Sequence, residues 1–487
     1  MYKHGTYGEI GKSVVSGANQ GNTAAVYFGT APVNLIRGYA DAGIINNPVR
    51  LRNMQDVQTK FGNSPDWGSF TLCEAFAQHF DNIIGNVGPI YVVNVLDPDT
   101  HRSQNPVTRE LIFKNKRVEF ESDTIILDSF ALAEKAEGVD YELSYNHARG
   151  TVVVTALTDI EAATASYDEA DASLVDYNDI IGESTTNGEY TGIQSLTLLY
   201  QNENVVADLL AAPGWSHIPA VYSALMAASK KINGHWDAFV NADIPLVDGG
   251  NKIDTIDKAR KWQSDNDYNA EFSKVYYPKV KDGSGRIFHL STIGTATMMR
   301  VDLSHNSIPF ESPSNKPITA TSQYFGEESK NRGYDQQTAN QLNEYGITTA
   351  VFWGGQWVLW GSHTAGYKYN GKQDVRANFD VNIRMLLHIT NGFQLEHGTK
   401  IDEPMTSQDK DTILNIEQTK LDSLVSVGAL IGNPVVKFLE TENPVNNLIN
   451  GDFVFDIAVT ATPPFKSGTV RVVYTDEGFS GFFGGEQ

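Results

Sequence analysis

The sequence predicts an α/β core with a mixed sheet, an inserted mostly-β domain, and an α+β C-terminal domain with a small sheet. Three observations carry this expectation. Short apolar runs alternate with helical periodicity over 23–96 and again from 196 onward. Between them, short β-like runs alternate with polar turns. Beyond about 346 come a tryptophan-rich hairpin, two long helices and terminal strands. The expected division is a 1–22 extended arm, a 23–96 plus 196–345 core, a 97–195 insert, a 346–465 C-terminal domain, and a 466–487 strand and arm.

The first 22 residues are Gly-rich and poor in core residues, so they read as an arm. "AAVYFGTA" follows as a buried strand. Phe70, Cys73, Phe76, Ala77 and Phe80 keep one helical face, and "GPIYVVNVL" is the next strand. In the insert, "RELIFKNKRVEF", "TIILDS" and "YELSYNHARGTVVVTAL" read as short strands, with "YNHARG" as a hairpin turn. Residues 151–190 hold nine acidic residues and no Lys or Arg, a solvated face.

The α/β pattern resumes with strand "ENVVADLLAAPG". In the helix after it, Ile218, Val221, Tyr222, Leu225 and Met226 keep the spacing and Ser216 is the expected N-cap. "DAFVNADI" is the next strand, expected parallel to its predecessor. Then come helix "TIDKARKWQ", strands "SKVYYPKV" and "RIFHLST", and helix "GTATMMRVDL". The last third reads as helix "TANQLNEYG", the hairpin, helices "DVRANFDVNIRMLLHIT" and "DKDTILNIEQTKLDSLVSVGAL", strands "NGDFVFDIAVTAT" and "GTVRVVYT", and a Gly/Phe arm.

With 487 residues, 41% of them hydrophobic, the chain can build several cores. A net charge of −22 argues against nucleic acid and anionic membranes, both of which attract basic surfaces. Copies of the chain repel at long range, so self-association must rest on short-range contacts. Cys73 is the only cysteine, which excludes an internal disulfide and fits a reducing cytoplasm. No apolar run is long enough to span a membrane, and the N-terminus lacks a signal-peptide core.

Catalytic and ligand motifs fail on inspection. "GEIGKS" lacks the first Gly of a phosphate loop, since Thr6 holds its position. Asp265, Asp267 and Asn269 alternate like a calcium loop, but Ala270 replaces its turn Gly and Tyr276 its closing Glu. The histidines show no metal-ligand spacing, with His217, His235 and His363 read as structural. "GTATMM" puts Ala296 where a serine nucleophile would stand. No enzyme activity, metal or cofactor is expected. The rival readings are an α/β enzyme with a pocket near the strand ends of 205–300, or another structural part of a larger assembly.

"ITTAVFWGGQWVLWG", residues 347–361, has two strands of high β propensity around Gly354–Gly355 and no charged residue. Sheet edges are normally blunted by charge or Pro. These edges are either covered within the chain or meant to receive strands from other chains. The two extended, Gly-rich ends are the candidate donors.

The order of motifs in the last third resembles contractile tail sheath proteins of phages and phage-tail-like particles. "TANQLNEYGITTAVFWGGQWVLWGSHT" is similar to the family's helix, hairpin and Leu-Trp-Gly-x-x-Thr ending. "DVRANFDVNIRMLLHI" resembles its next helix, "NGDFVFDIAVTATPPFKSGTVRVVY" its terminal strands, and "FESPSNKPI" the loop ahead of them. The resemblance covers 300–487 well, the α/β part loosely, and 97–190 as the family's variable insert. It implies a subunit of stacked hexameric rings around a tail tube, contracting to drive the tube through a cell envelope. The implied partners are other copies, the tube protein, and baseplate and terminator proteins, in a particle assembled in the bacterial cytoplasm. It implies a small C-terminal sheet completed by neighbours' strands. The residues expected there are Val351, Phe352, Trp353, Trp357, Val358, Leu359 and Trp360 of the hairpin, Val14 and Val15 of the first arm, and Val470, Val472, Val473 and Tyr474 near the end. Unlike the family, "TPPFKSG" is followed here by a further strand and tail. Either 453–460 or 469–475 is therefore the exchanged strand.

Overall fold

The computed structural model describes residues 22–327 and 335–483. Strands β1 (Ala25–Gly29) and β3 (Ile90–Asn94) are buried along their whole length and pair in parallel. Parallel strands covered on both faces read as continuous apolar runs, which is why both were legible. Between them, β2 (Val49–Leu51) runs antiparallel on the outer side of β3. Helix α1 (Met54–Lys60) is capped by Asn53, whose side chain accepts from the Asp56 N–H. Helix α2 (Leu72–Phe80) is buried on every side.

Residues 107–167 form six strands: β4 (Val107–Ile112), β5 (Arg117–Glu121), β6 (Ala131–Leu132), β7 (Tyr141–Asn146), β8 (Thr151–Ala156) and β9 (Ala162–Tyr167). They make two antiparallel three-stranded sheets, β4-β9-β6 and β5-β8-β7. Leu111, Phe120, Ile125, Val152, Val154 and Tyr167 supply a separate core. The chain rejoins the main core well before 195. Ala170, Val175, Ile180, Ile193 and Leu196, around α3 (Tyr177–Ile181), pack into it. These few apolar residues sit among acidic neighbours, which masked their role in the sequence. Helix α4 (Leu198–Glu203) leads onward.

β10 (Leu209–Ala211), β11 (Phe239–Asp243) and β14 (Ser273–Tyr276) extend the main sheet in parallel. The connections are α5 (Pro219–Ala228), the small ribbon β12 (Val247–Asp248) and β13 (Asn251–Lys252), and α6 (Ile256–Asp265). Ser216 is not the cap of α5. Pro219 opens that helix after Ile218, and the Ser216 hydroxyl accepts from the Asp243 N–H at 3.1 Å. "RIFHLST" is mostly not strand. Beside β15 (Lys279–Lys281), only β16 (Ile287–Phe288) is extended, and Leu290 already begins α7 (Leu290–Ser304). The Asp243 carboxylate accepts from the Ser291 N–H at 3.0 Å, satisfying the start of that helix. β17 (Ser322–Tyr324) completes a small sheet ordered β16-β15-β17.

Past α8 (Gln336–Asn343), the hairpin strands β18 (Ile347–Trp353) and β19 (Gln356–Trp360) do not start a new sheet. β18 pairs in parallel with β14, Val275 opposite Ile347 and Tyr276 opposite Thr348. The main sheet is therefore ordered β19-β18-β14-β11-β10-β1-β3-β2, and the expected boundary at 346 cuts through it. Helices α9 (Asp380–His397) and α10 (Ser407–Ser426) follow. A two-stranded sheet, β20 (Val435–Lys437) with β21 (Asp456–Ala458), flanks the short α11 (Val445–Asn450).

Candidate assembly surfaces

After Pro463 and Pro464 the chain runs to Thr475 in neither helix nor ladder, with the Lys466 N–H turned back onto the Pro464 carbonyl at 2.8 Å. The two prolines disfavour helix at this exit, and Thr469, Val470, Val472, Val473 and Thr475 are residue types that favour the β region. Among the described residues, 468–475 makes no backbone hydrogen bond to the rest of the chain. Val470, Val472, Val473 and Tyr474 all stand in solvent, Val472 at 86% exposure. The exit is pinned at Lys466, whose ammonium lies 5.7 Å over the Tyr367 ring. Tyr367 in turn stacks on His363 at 3.5 Å. Burial, with Lys466 and Lys274 nearby, pushes the His363 imidazole down to about 4, so that ring stays neutral.

The β20–β21 sheet has one closed edge and one open edge. Val435 opposes Ala458 and Lys437 opposes Asp456. The Val436 N–H turns away from β21 and donates to the Gln418 side chain at 3.3 Å. That side chain also donates to the Pro434 carbonyl at 3.0 Å. By the alternation of an antiparallel ladder, Ile457 opposite Val436 turns its own N–H and C=O outward. Among the described residues, nothing pairs with that outward face of β21. One face of the small sheet packs through Val436, Ile457 and Val459 on Met385, Leu421, Leu424 and Leu430.

Buried charge fastens this region to the main sheet. The Lys274 ammonium of β14 meets the Asp380 carboxylate at the start of α9 at 2.6 Å, both fully buried. It also donates to the His363 carbonyl at 3.0 Å. One turn on, the Arg384 guanidinium pairs with buried Asp302 of α7. The Thr23 hydroxyl, where the described chain begins, donates to Asp302 at 2.8 Å. His397 Nε2 and Glu417 Oε1, 2.7 Å apart, join α9 to α10.

The hairpin residues expected to receive strands from neighbours are occupied within the chain. On the outer side of β19, the Leu359 N–H donates to the Lys316 carbonyl and the Ile318 N–H to the Trp357 carbonyl, both at 3.0 Å. On the other side, β14 pairs with the base of β18, and the Gln323 side chain donates to the Ala350 carbonyl at 2.5 Å. Val351, Val358 and Leu359 are buried, and Trp357 and Trp360 are half-buried. Only Phe352 and Trp353 at the tip stand out. Charge-free strands here reflect burial in the main sheet rather than an open edge. Val14 and Val15 lie outside the described residues. Of the two terminal segments, 456–458 is paired within the chain and 469–475 is not. β20 and the Gln418 cap were missed, since three residues are too few for a periodic signal.

At the strand ends where an α/β enzyme would bind its ligand, Asp243 is buried. Its oxygens accept from the Ser291 N–H and hydroxyl and the Ser216 hydroxyl. Among the described residues there is no His/Cys/Asp/Glu group able to hold a metal, and no helix long and apolar enough to cross a membrane.

The fold is shared with subunits of contractile injection systems. It matches a sheath chain of the extracellular contractile injection system PVC in its contracted state at TM-score 0.54 and 12% identity, over 98% of this chain and 99% of that one. A chain of the anti-feeding prophage (AFP) baseplate matches at TM-score 0.54, 15% identity and the same coverage. No family model matches the sequence. The chain is a homologue of phage tail sheath proteins. It is 26% identical over 476 residues to the tail sheath protein of Burkholderia phage BcepMu, spanning 92% of this chain and 95% of that one. It is 24% identical over 338 residues to a prophage protein of Pseudomonas aeruginosa UCBPP-PA14 named as a major tail sheath protein, spanning 69% and 80%.

Proposed function

We propose that this chain is a structural sheath subunit without catalytic activity. It polymerises as stacked hexameric rings around a tail tube, and the sheath contracts to drive the tube through a target envelope. Its partners are other copies, the tube protein, and the baseplate and terminator proteins at the two ends. The particle is assembled in the bacterial cytoplasm.

The carrying observation is a Val-rich, exposed segment, 469–475, without backbone pairing among the described residues, in the same chain as the open edge of β21. We assign 469–475 as the strand given to a neighbour and β21 as the edge that receives one. Each added backbone hydrogen bond contributes roughly 0.5–1.5 kcal/mol net, so a strand of this length contributes a few kcal/mol before ordering costs. Donor and acceptor are different surfaces, so the contact propagates as a ring or a helix. Repetition over many copies gives the lattice its cohesion.

Ending the chain at Ser467 tests this reading. The truncated chain should fold with an unchanged thermal midpoint and fail to form tubes in negative-stain images. Tubes of normal length would refute the donor role.

A further inference from the structure

We propose that the tail beyond the donated strand anchors through Phe479 and Phe482 in an aromatic cleft beside the small sheet of a second copy. This rests on the strand-addition reading above and extends it past the strand. Two unmatched halves within one chain motivate it. Glu477–Phe483 is a 3-10 turn, in which residues three apart fall on one side. The Phe479 and Phe482 rings lie 5.8 Å apart and both stand in solvent, Phe482 at 81% exposure. Among the described residues, these two rings pack on each other and each stays more than half exposed.

The other half is a cleft of about 260 Å³ between the end of α9, the start of α10 and the approach to β21. Phe393, His397, Met405, Ile413, Phe453 and Phe455 line it. The Phe393 ring is 5.8 Å from Phe455 and 4.7 Å from His397. These walls offer faces and edges for tilted ring packing, and Met405 adapts to an inserted ring.

Continuity with the open edge selects the occupant. Phe455 stands two residues from Ile457, whose outward backbone would take the donated strand. With Val470–Tyr474 seated there, Phe479 follows five residues later, at most about 17 Å of extended chain. Like-charged copies repel at a distance, and an apolar anchor holds at contact regardless of that repulsion. The arrangement assigns the cleft to the tail of a second copy.

Full-length copies carrying Gly478→Cys, mixed with copies carrying Glu403→Cys at the rim of the cleft and treated with a short bismaleimide, test the contact. Native Cys73 stays silent, being buried with its thiol pushed up to about 12. Cross-linked dimers are expected in assembled polymers and not in dilute copies. Polymers that form without such dimers overturn the anchor while leaving strand addition intact. A chain carrying both cysteines that links to itself at dilution also overturns it, because its own tail would then fill the cleft. If the unmodified chain forms no polymer at all, the anchor and the strand-addition reading both fall. The F479S/F482S chain should keep the monomer's thermal midpoint and leave polymers at least tenfold faster. An unchanged release rate counts against the anchor.

Discussion

Lys274 and Asp380 face each other with both side chains fully buried. Burial pulls the lysine pKa down, and the carboxylate beside it opposes that pull. Removing one partner strands the other, at a cost of about 3–5 kcal/mol. Lys274→Met should lose that much stability in urea unfolding, and K274M/D380N should recover part of it. His79 gives a pH signature. Its Nδ1 donates to the Val87 carbonyl at 2.9 Å and its Nε2 accepts from Tyr27 at 2.7 Å. Burial holds its pKa at about 3, against about 6.5 when unfolded. A depressed base adds stability above the unfolded pKa and loses it as pH falls toward the folded one. Between pH 6.5 and 4.5 that loss is about 2 kcal/mol. His79→Gln should flatten the fall in thermal midpoint over this window, and an unchanged slope would exclude His79 as its source. Neither feature could be read from sequence. Lys274 and Asp380 are 106 positions apart, and periodicity reports faces of single elements, not which distant charges meet.

At the scale of elements, the strands were legible and their edges were not. β1, β3 and β11 announced themselves as buried apolar runs, and the Gly354–Gly355 turn marked the hairpin. Whether the hairpin's outer edge is open depends on residues 315–318, a segment with no strand signal of its own. β21 was visible within "FVFDIAV", but its open side follows from Gln418 closing the far side of β20. That asymmetry makes a prediction. Ile457→Pro removes one outward N–H and leaves the ladder with β20 in place, as edge strands tolerate Pro. Such copies should still donate their arms and refuse a neighbour's. Mixed with unaltered chain, they should shorten polymers in electron micrographs in proportion to their share. Unchanged lengths would argue that β21 is not the acceptor.

Across the whole molecule, charge and apolar surface pull in different directions. A net charge of −22 opposes close approach of copies. More than half of the exposed large hydrophobic residues among those described lie after position 400. The Debye length shrinks from about 10 Å at 0.1 M salt to about 3 Å at 1 M. Polymerisation followed by light scattering should therefore accelerate as salt rises over that range. Slowing instead would mean that attraction between opposite charges drives assembly. The α/β architecture came through at this scale because its strands are long enough to carry a pattern. At the expected divisions, 195 and 346, a few apolar residues such as Ile193 and Ile347 join segments of different composition into one core.

The arm from Gly468 to Thr475 stands exposed and makes no backbone hydrogen bond to the body that carries it. A copy can then release or regain its neighbour with no rearrangement inside its own core. Parting and melting become two separate events, and a heated sheath should come apart into intact pieces before any piece loses its shape.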